Sequence, residues 1–145
     1  MDLGKKVRMK FLHPVDGQSY TDPNNSSLVA QIVYDKTAFL LTGDVERLGE
    51  ETVLRNGEDL KSHVMKIAHH GSNTSSIPQF IEKIDPDFAV ISVGKNNRYS
   101  HPGDKTLELL ESKGVQYYRT DRHGAVVFTS DGKRIRGNSL VKEQE

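Results

Sequence analysis

The sequence predicts an α/β fold in which strands and helices alternate within one domain. Short apolar runs at residues 38–41, 64–68 and 88–93 have the length of buried strands. Residues 77–84 place apolar side chains three and four positions apart, which is the pattern of a helix with one buried face. A chain of 145 residues is long enough for a core of ordinary size. We therefore expect residues 1–145 to form a single domain.

Strands are predicted at eight places, given in chain order: residues 7–13, 28–34, 37–41, 64–68, 88–93, 115–118, 124–129 and 134–136. Alternate apolar residues indicate the first strand, and Asp35 with Lys36 forms the turn between the second and the third. Asp131 and Gly132 are a strong two-residue hairpin signal between the last two strands. The polar residues 137–145 predict a mobile tail.

Helices are predicted over residues 45–55 and 77–84, and a third helix is introduced by Asp104. Pro86 helps to end the second helix, because proline lacks the amide hydrogen that a helix requires. A polar loop over residues 16–26 is rich in Gly, Pro, Asn and Ser, the common turn formers. Helices that alternate with strands are typical of the α/β class.

Composition excludes several classes of protein. The 20 basic and 20 acidic residues cancel, so bulk charge does not indicate nucleic-acid binding. The absence of cysteine excludes disulfides and cysteine-bound zinc. No run approaches the roughly 18 apolar residues of a transmembrane helix, and the amino end lacks the hydrophobic region of a signal peptide. We expect a soluble chain with no transmembrane segment.

The residues most informative about chemistry follow two of the predicted strands. His69 and His70 come directly after the apolar run at residues 64–68 and precede Gly71. Asp44 follows another such run in the same manner. Ligands gather at the carboxyl ends of strands in α/β sheets, and imidazole and carboxylate groups bind zinc. The sequence therefore predicts the start of a metal site, with Asp44 and one or both of His69 and His70 within metal-bridging distance.

Each motif also has a purely structural interpretation. Asp44 alone is suited to cap the helix over residues 45–55, because its carboxylate accepts hydrogen bonds from free amides. His69 and His70 alone could form a hydrogen-bonded pair in a loop. The occurrence of both motifs at strand ends favours the metal site.

Five segments of the chain form a recognisable series: LTGDVE, MKIAHHGSNTS, ISVGKNNRYSHP, YRTD and GAV, at residues 41–46, 65–75, 91–102, 118–121 and 124–126. In these segments the chain resembles the metallo-β-lactamase domain of ComEC-type competence proteins, and the resemblance covers most of residues 7–130. It implies a metallo-β-lactamase-like αββα sandwich that carries one or two divalent ions, zinc or manganese, at the sheet edges. Asp44 would bridge the ions, while either His69 or His70 would be a terminal ligand. We favour His70, with His69 orienting it or contacting substrate.

The chain departs from the family in one essential respect. The family's principal signature, His-x-His-x-Asp-His after an early strand, is absent. The chain therefore looks like the C-terminal half of the domain, lacking its N-terminal portion. Asp44, His69 and His70 are at most three ligands, so metal binding by this chain alone should be weak or absent. An N-terminal segment or a second chain would complete the sandwich, and without it an exposed apolar face should cause self-association.

The loop after the strand at residues 88–93 is the candidate substrate site. Lys95, Arg98 and His101 could hold a phosphate, and a solvated surface loop is the alternative. Ser72 and Asn25 are further candidate substrate contacts, with turn formation as the alternative for Asn25.

Other charged and aromatic side chains are assigned structural roles. Glu46, Glu50 and Glu51 should form a mostly solvated acidic face of a helix. The histidines without a partner motif should be structural or exposed: His13, His63 and His123.

Two functions from different classes remain open at this stage. The resemblance implies a metal-dependent hydrolase of phosphodiesters, in particular DNA, in the context of competence and DNA uptake, and acting on the extracytoplasmic face of the membrane in a ComEC-type protein. The alternative is a non-catalytic fragment or remnant that keeps part of the fold as a binding or structural module. A sheet-based interaction domain with chance motifs is a further alternative.

Overall fold

A computed structural model of the chain describes Gly4 and residues 6–141. Eight strands are present: β1 (Val7–His13), β2 (Val29–Tyr34), β3 (Thr37–Leu41), β4 (Val64–Lys66), β5 (Phe88–Ile91), β6 (Gln116–Arg119), β7 (Val126–Ser130) and β8 (Ile135–Ser139). The helices are α1 (Arg47–Arg55), α2 (Pro78–Ile84), α3 (Asp104–Ser112) and the single turn α4 (Thr120–His123). The predicted α/β class is confirmed.

The first six strands form one mixed sheet in chain order, β1 to β6. Strand β2 is antiparallel to both β1 and β3, whereas β3, β4, β5 and β6 are parallel to one another. Strand β1 therefore runs in the same direction as β3, and the carboxyl ends of β1 and of all four parallel strands lie at one edge. We call this edge the carboxyl edge; a ligand site in an open α/β sheet is expected there.

One face of the sheet is buried against the helices along β3, β4 and β5. Leu40, Met65 and Ala89 are neighbours in register and belong to the main core. The same core includes Val53 from α1 and Leu110 from α3, both of which are inaccessible to solvent. Burial of these apolar side chains holds the helices to the sheet and fixes the position of the carboxyl edge.

The opposite face of the sheet is only partly covered. The β7–β8 hairpin packs on its far half, where the Phe128 ring lies 5.4 Å from Phe88 and 5.8 Å from Tyr118, measured between ring centroids. Phe11 and Leu41 both pair with Ala30 of β2 on the near half, and they remain 57% and 43% exposed. We call Phe11 and Leu41 the apolar strip.

Several element boundaries differ from the predictions. Helix α1 begins at Arg47 with Glu46 at its N-cap position, so the capping role considered for Asp44 is wrong. Strand β4 ends at Lys66, and residues 68–71 form a short 3-10 turn instead of continuing the strand. No helix within Gly4 and residues 6–141 is long and apolar enough to cross a membrane.

The predicted mobile tail is partly wrong. Residues 137–139 belong to β8, because their backbone pairs with β7. Leu140 N and Val141 N donate to the carbonyls of Ala125 and His123 at 3.0 Å each. Residues 142–145 lie outside the described part of the chain. The turn between β7 and β8 also has four residues, 131–134, instead of the two that the Asp-Gly pair suggested.

Candidate metal centre

Asp44 is presented at the carboxyl edge by a tight turn after β3. Gly43 adopts a φ of +56°, which glycine tolerates best, and a Cβ there would lie 3.0 Å from the Cβ of Ser27. The Asp44 amide donates to Ser27 Oγ at 3.1 Å, which fixes the turn. The carboxylate does not cap α1, and its side chain is 41% exposed.

His69 and His70 are held in a strained backbone conformation. Their φ angles are +47° and +55°, in the left-handed region that side chains other than glycine rarely adopt. Gly71 continues this turn, and a Cβ on it would lie 2.7 Å from Pro102 Cβ, so the turn packs closely on the loop after β5. Strain of this kind persists only where the surrounding structure enforces it, and it clusters at functional sites.

The side chains of Asp44 and His70 meet across the carboxyl edge. His70 Nε2 lies 3.5 Å from Asp44 Oδ1. The other ring nitrogen, Nδ1, donates to the Ser92 carbonyl at 2.6 Å. Because a carbonyl only accepts hydrogen bonds, this contact places a proton on Nδ1, so Nε2 is the ring nitrogen that faces Asp44 and carries the lone pair in the neutral ring. An anchored imidazole of this kind is the usual arrangement for a metal-binding histidine.

His69 has a carboxylate partner that the sequence did not reveal. Its Nδ1 donates to Glu46 Oε1 at 3.0 Å, and the Thr74 hydroxyl donates to the same oxygen at 2.8 Å. The predicted solvated acidic face is therefore wrong for Glu46, whose side chain is only 18% exposed. No local signal indicated this pairing, since residue 46 fell inside the helix predicted over residues 45–55. The geometry favours His70 as the ligand and His69 as an orienting or substrate-contacting group.

Lys66 is a second group that sequence reasoning missed. Its ammonium donates to the Gly43 carbonyl at 2.9 Å and lies 4.0 Å from Asp44 Oδ1. Burial lowers the pKa of Lys66, and the nearby Asp44 carboxylate partly opposes that effect. The available signal was a lysine within the apolar run at residues 64–68. Lys66 ties the end of β4 to the turn that presents Asp44.

His101 joins the group from the loop after β5. Its ring centroid lies 5.6 Å from that of His69. Asn97 holds the loop, since its Oδ1 accepts from His101 N at 2.9 Å and its Nδ2 donates to the His101 carbonyl at 2.8 Å. Burial, followed by the charges of His69 and His70, lowers the pKa of His101. The ring is therefore mainly neutral near pH 7 and available to donate or accept one hydrogen bond.

The remaining predicted substrate contacts are less well placed. Lys95 and Arg98 are exposed on the same loop, and the Arg98 guanidinium lies over the Tyr99 ring. Ser72 is buried, and its hydroxyl bonds to the Thr74 hydroxyl at 2.9 Å. This contact favours a structural role for Ser72.

Asn25 and His13 lie deeper, beneath the start of α1. Asn25 Oδ1 accepts from Gly49 N at 2.9 Å, and the Asn25 carbonyl accepts from His13 Nε2 at 2.7 Å. Both side chains are buried. For Asn25 this placement favours the structural alternative over contact with substrate.

Glu50 and His63 make structural contacts away from the Asp44–His70 pair. Glu50 is fully buried and accepts from the amides of Ser76 and Ile77 at 2.6 and 2.9 Å, so the predicted solvated face is also wrong here. Burial raises the pKa of Glu50 to about 7. His63 accepts from Ala38 N at 3.2 Å, in agreement with a structural role.

The donor set is suited to a metal ion but small. Asp44 and His70 supply one oxygen and one nitrogen, a combination that zinc and manganese accept. Within Gly4 and residues 6–141, no group of three or more His, Cys, Asp or Glu side chains is arranged to hold an ion. A structural or catalytic zinc takes three or four protein ligands, so Asp44 and His70 are too few to form such a site by themselves.

Known proteins with similar sequences identify relatives of this chain. The chain is 42% identical over 124 residues to ComE operon protein 3 of Bacillus subtilis, a match that covers 86% of the chain. The chain is homologous to this protein over that segment. It is 37% identical over 123 residues, 84% of its length, to competence protein ComA of Neisseria gonorrhoeae. It is also 34% identical over 87 residues, 60% of its length, to recombination protein 2 of Haemophilus influenzae.

The relatives are much longer than this chain. The match spans 16% of the Bacillus protein, 18% of the Neisseria protein and 11% of the Haemophilus protein. No profile of a protein family matches the chain. The relationship to competence proteins therefore rests on pairwise similarity over a short segment of each relative.

Proposed function

We propose that this chain carries part of the centre of a metal-dependent phosphodiesterase that acts on DNA during uptake by competent cells. One observation carries the proposal: His70 Nε2 lies 3.5 Å from Asp44 Oδ1 while Nδ1 is anchored on the Ser92 carbonyl. The similarity to competence proteins, ComA of Neisseria gonorrhoeae among them, supports the DNA-uptake context. The metal is zinc or manganese.

The fold proposed for the complete domain is the metallo-β-lactamase αββα sandwich. The mixed sheet has helices on one face, and its other face is half covered by the β7–β8 hairpin. The apolar strip of Phe11 and Leu41 lies on the open half of that face. We infer that a segment outside this chain, or a second chain, covers the strip and brings the remaining metal ligands to the carboxyl edge.

Each residue then has a defined task. Asp44 and His70, which face each other, would hold the ion or ions, and Glu46 orients His69 beside them. Bound zinc or manganese supplies a water of lowered pKa and positive charge beside the phosphodiester. His101, mainly neutral near pH 7, donates a hydrogen bond to a phosphate oxygen as negative charge develops there. Lys66 keeps the Asp44 turn in place through the Gly43 carbonyl.

Metal and activity measurements test this proposal. Isothermal titration with zinc and manganese, and cleavage of a phosphodiester, are measured on this chain and on a form extended at its amino end. We expect weak or no binding by this chain, tight binding and metal-dependent cleavage by the extended form, and loss of both in His70→Ala. Excess metal should partly rescue that variant. An extended form that binds no metal would refute the proposal.

A non-catalytic binding or structural module is the second candidate function. The small donor set within the described residues favours it, because two ligands do not make a catalytic centre. In that case the extended form would fold cooperatively but neither bind metal nor cleave phosphodiesters. The same measurements therefore separate the two functions.

A further inference from the structure

Tyr99 presents an aromatic ring beside the candidate metal centre. It lies on the loop after β5 and is 62% exposed, more than any other aromatic side chain among the described residues. Large aromatic surface in water is unfavourable unless a partner covers it. Two other residues of this loop also have planar side-chain groups: Arg98 has a guanidinium and His101 an imidazole.

The loop that carries Tyr99 is braced. Asn97 Nδ2 donates to the carbonyls of Gly94 and His101 at 3.1 and 2.8 Å, while Asn97 Oδ1 accepts from His101 N at 2.9 Å. These three hydrogen bonds close the loop around one side chain. The Tyr99 ring is therefore presented from a fixed frame, which reduces the ordering cost of binding.

Three planar groups lie together on this loop. The Tyr99 and His101 rings are nearly parallel, at 19°, with centroids 5.8 Å apart. The Arg98 guanidinium carbon lies 4.7 Å from the Tyr99 centroid. Aromatic rings and guanidinium planes are the groups on which proteins stack unpaired nucleobases.

The cleft beside this loop connects the stacked groups to the metal centre. His70, Thr120, Tyr99 and His101 all line this cleft. His70 is the residue whose Nε2 faces Asp44. A phosphate held at His70 would therefore have its neighbouring nucleoside within the same cleft as the Tyr99 ring.

We propose that Tyr99 is a stacking platform for a nucleobase adjacent to the phosphate bound at the Asp44–His70 centre, so that the substrate is single-stranded DNA. This inference rests on the proposed function and specifies its substrate class. A base within a duplex is stacked on its neighbours and cannot lie on Tyr99 without being extruded. Every base has a π face, so the platform confers preference for single strands without preference for sequence.

Binding measured without metal tests this proposal on the chain itself. Fluorescence anisotropy of a labelled short oligothymidylate is compared with a strand of equal length that lacks all bases, and with the same oligothymidylate in a duplex. The buffer contains EDTA and little salt, because phosphate contacts weaken as salt rises. We expect the single strand with bases to bind more tightly than both other probes.

Variants assign the difference to the ring. Tyr99→Ala should weaken binding of the oligothymidylate about 5- to 100-fold and leave binding of the base-free strand unchanged. Tyr99→Phe, which keeps the ring, should retain most of the affinity. Phe11→Ala is the matched control, since Phe11 is 57% exposed but lies on β1, at the far side of the sheet from β5.

Three results would overturn the platform: no binding of the oligothymidylate, equal binding of the base-free strand, or unchanged binding by Tyr99→Ala. None of them depends on metal, so they leave the proposed hydrolase untouched. Conversely, a failure of metal-dependent cleavage by the extended form would refute the hydrolase without altering the EDTA binding data.

Discussion

His13 and His70 both lie at the carboxyl edge, yet their surroundings differ. His13 closes β1, is fully buried, and donates through Nε2 to the Asn25 carbonyl at 2.7 Å. His70 follows β4 in a left-handed turn, keeps 45% of its side chain exposed, and directs Nε2 towards Asp44. The comparison shows that a strand-end histidine becomes a candidate ligand only where its free nitrogen faces open space and a second ligand.

The cause of the difference is the element that covers each strand end. A Cβ on Gly49 of α1 would lie 3.2 Å from His13 Nε2, so the helix packs directly over that ring. The end of β4 is followed by the strained turn at residues 68–71, which carries His70 out to the surface. The buried histidine stabilises the fold, and the exposed one is available for chemistry.

The largest expected effect comes from Asp44→Asn in the extended form. Phosphodiester cleavage should fall at least about 1000-fold, because a neutral amide does not bridge metal ions as a carboxylate does. The fold should remain intact, since Asp44 is partly exposed and caps no helix. Cleavage and metal content are measured beside Asp16→Asn, an exposed loop carboxylate. Full activity in Asp44→Asn would refute the mechanism.

His101→Ala tests the histidine that is proposed to contact the phosphate. If His101 contacts the phosphate, turnover should fall about 10- to 1000-fold while metal content stays unchanged. His63→Ala, at the opposite edge of the sheet, provides the control. Activity near that of the unchanged protein would make His101 an ordinary loop residue.

His13→Ala should have the opposite profile from the His70 variant. Removing a fully buried ring leaves a cavity and unpairs the Asn25 carbonyl, which should lower the free energy of unfolding by about 3 kcal/mol. His70→Ala should cost under about 1 kcal/mol, because its ring is half exposed. Urea denaturation of this chain and of both variants measures the change in the free energy of unfolding. Equal losses would remove the distinction between the two strand ends.

Glu50 adds a pH dependence to the buried region. Its pKa rises from 4.5 to about 7 on folding, so between these values the folded chain binds more protons than the unfolded chain. The free energy of unfolding should therefore fall as pH rises through this window, by up to about 3 kcal/mol, and level out above it. Glu50→Gln should abolish this contribution, while Glu51→Gln at the surface should retain it. If the free energy of unfolding depends on pH in the same way in both variants, Glu50 is not the cause of the dependence.

The smallest expected effect on stability concerns the apolar strip. Phe11→Ser combined with Leu41→Ser should reduce self-association and binding of a hydrophobic dye, while unfolding changes by less than about 0.5 kcal/mol. Leu48→Ser, on the exposed side of α1, is the control. If the unsubstituted chain is a monomer that binds no dye, then no further segment is needed to cover the apolar strip.

The element order was predictable because apolar periodicity is a local property. The run at residues 64–68 predicted a strand and the spacing within residues 77–84 predicted a helix, and β4 and α2 lie there. The boundaries were less predictable. The polar tail gave no apolar signal, yet residues 137–139 pair with β7 through backbone groups, which any side chain allows.

The sequence by itself determined which residue types follow β3 and β4, namely Asp44 after β3 and His69 and His70 after β4. Only the tertiary structure decided their relations: the 3.5 Å approach of Asp44 to His70, the pairing of Glu46 with His69, and the burial of Glu50. These contacts join residues more than 20 positions apart. They depend on strand order and helix packing, and no local pattern encodes which distant partner will cover or face a given side chain.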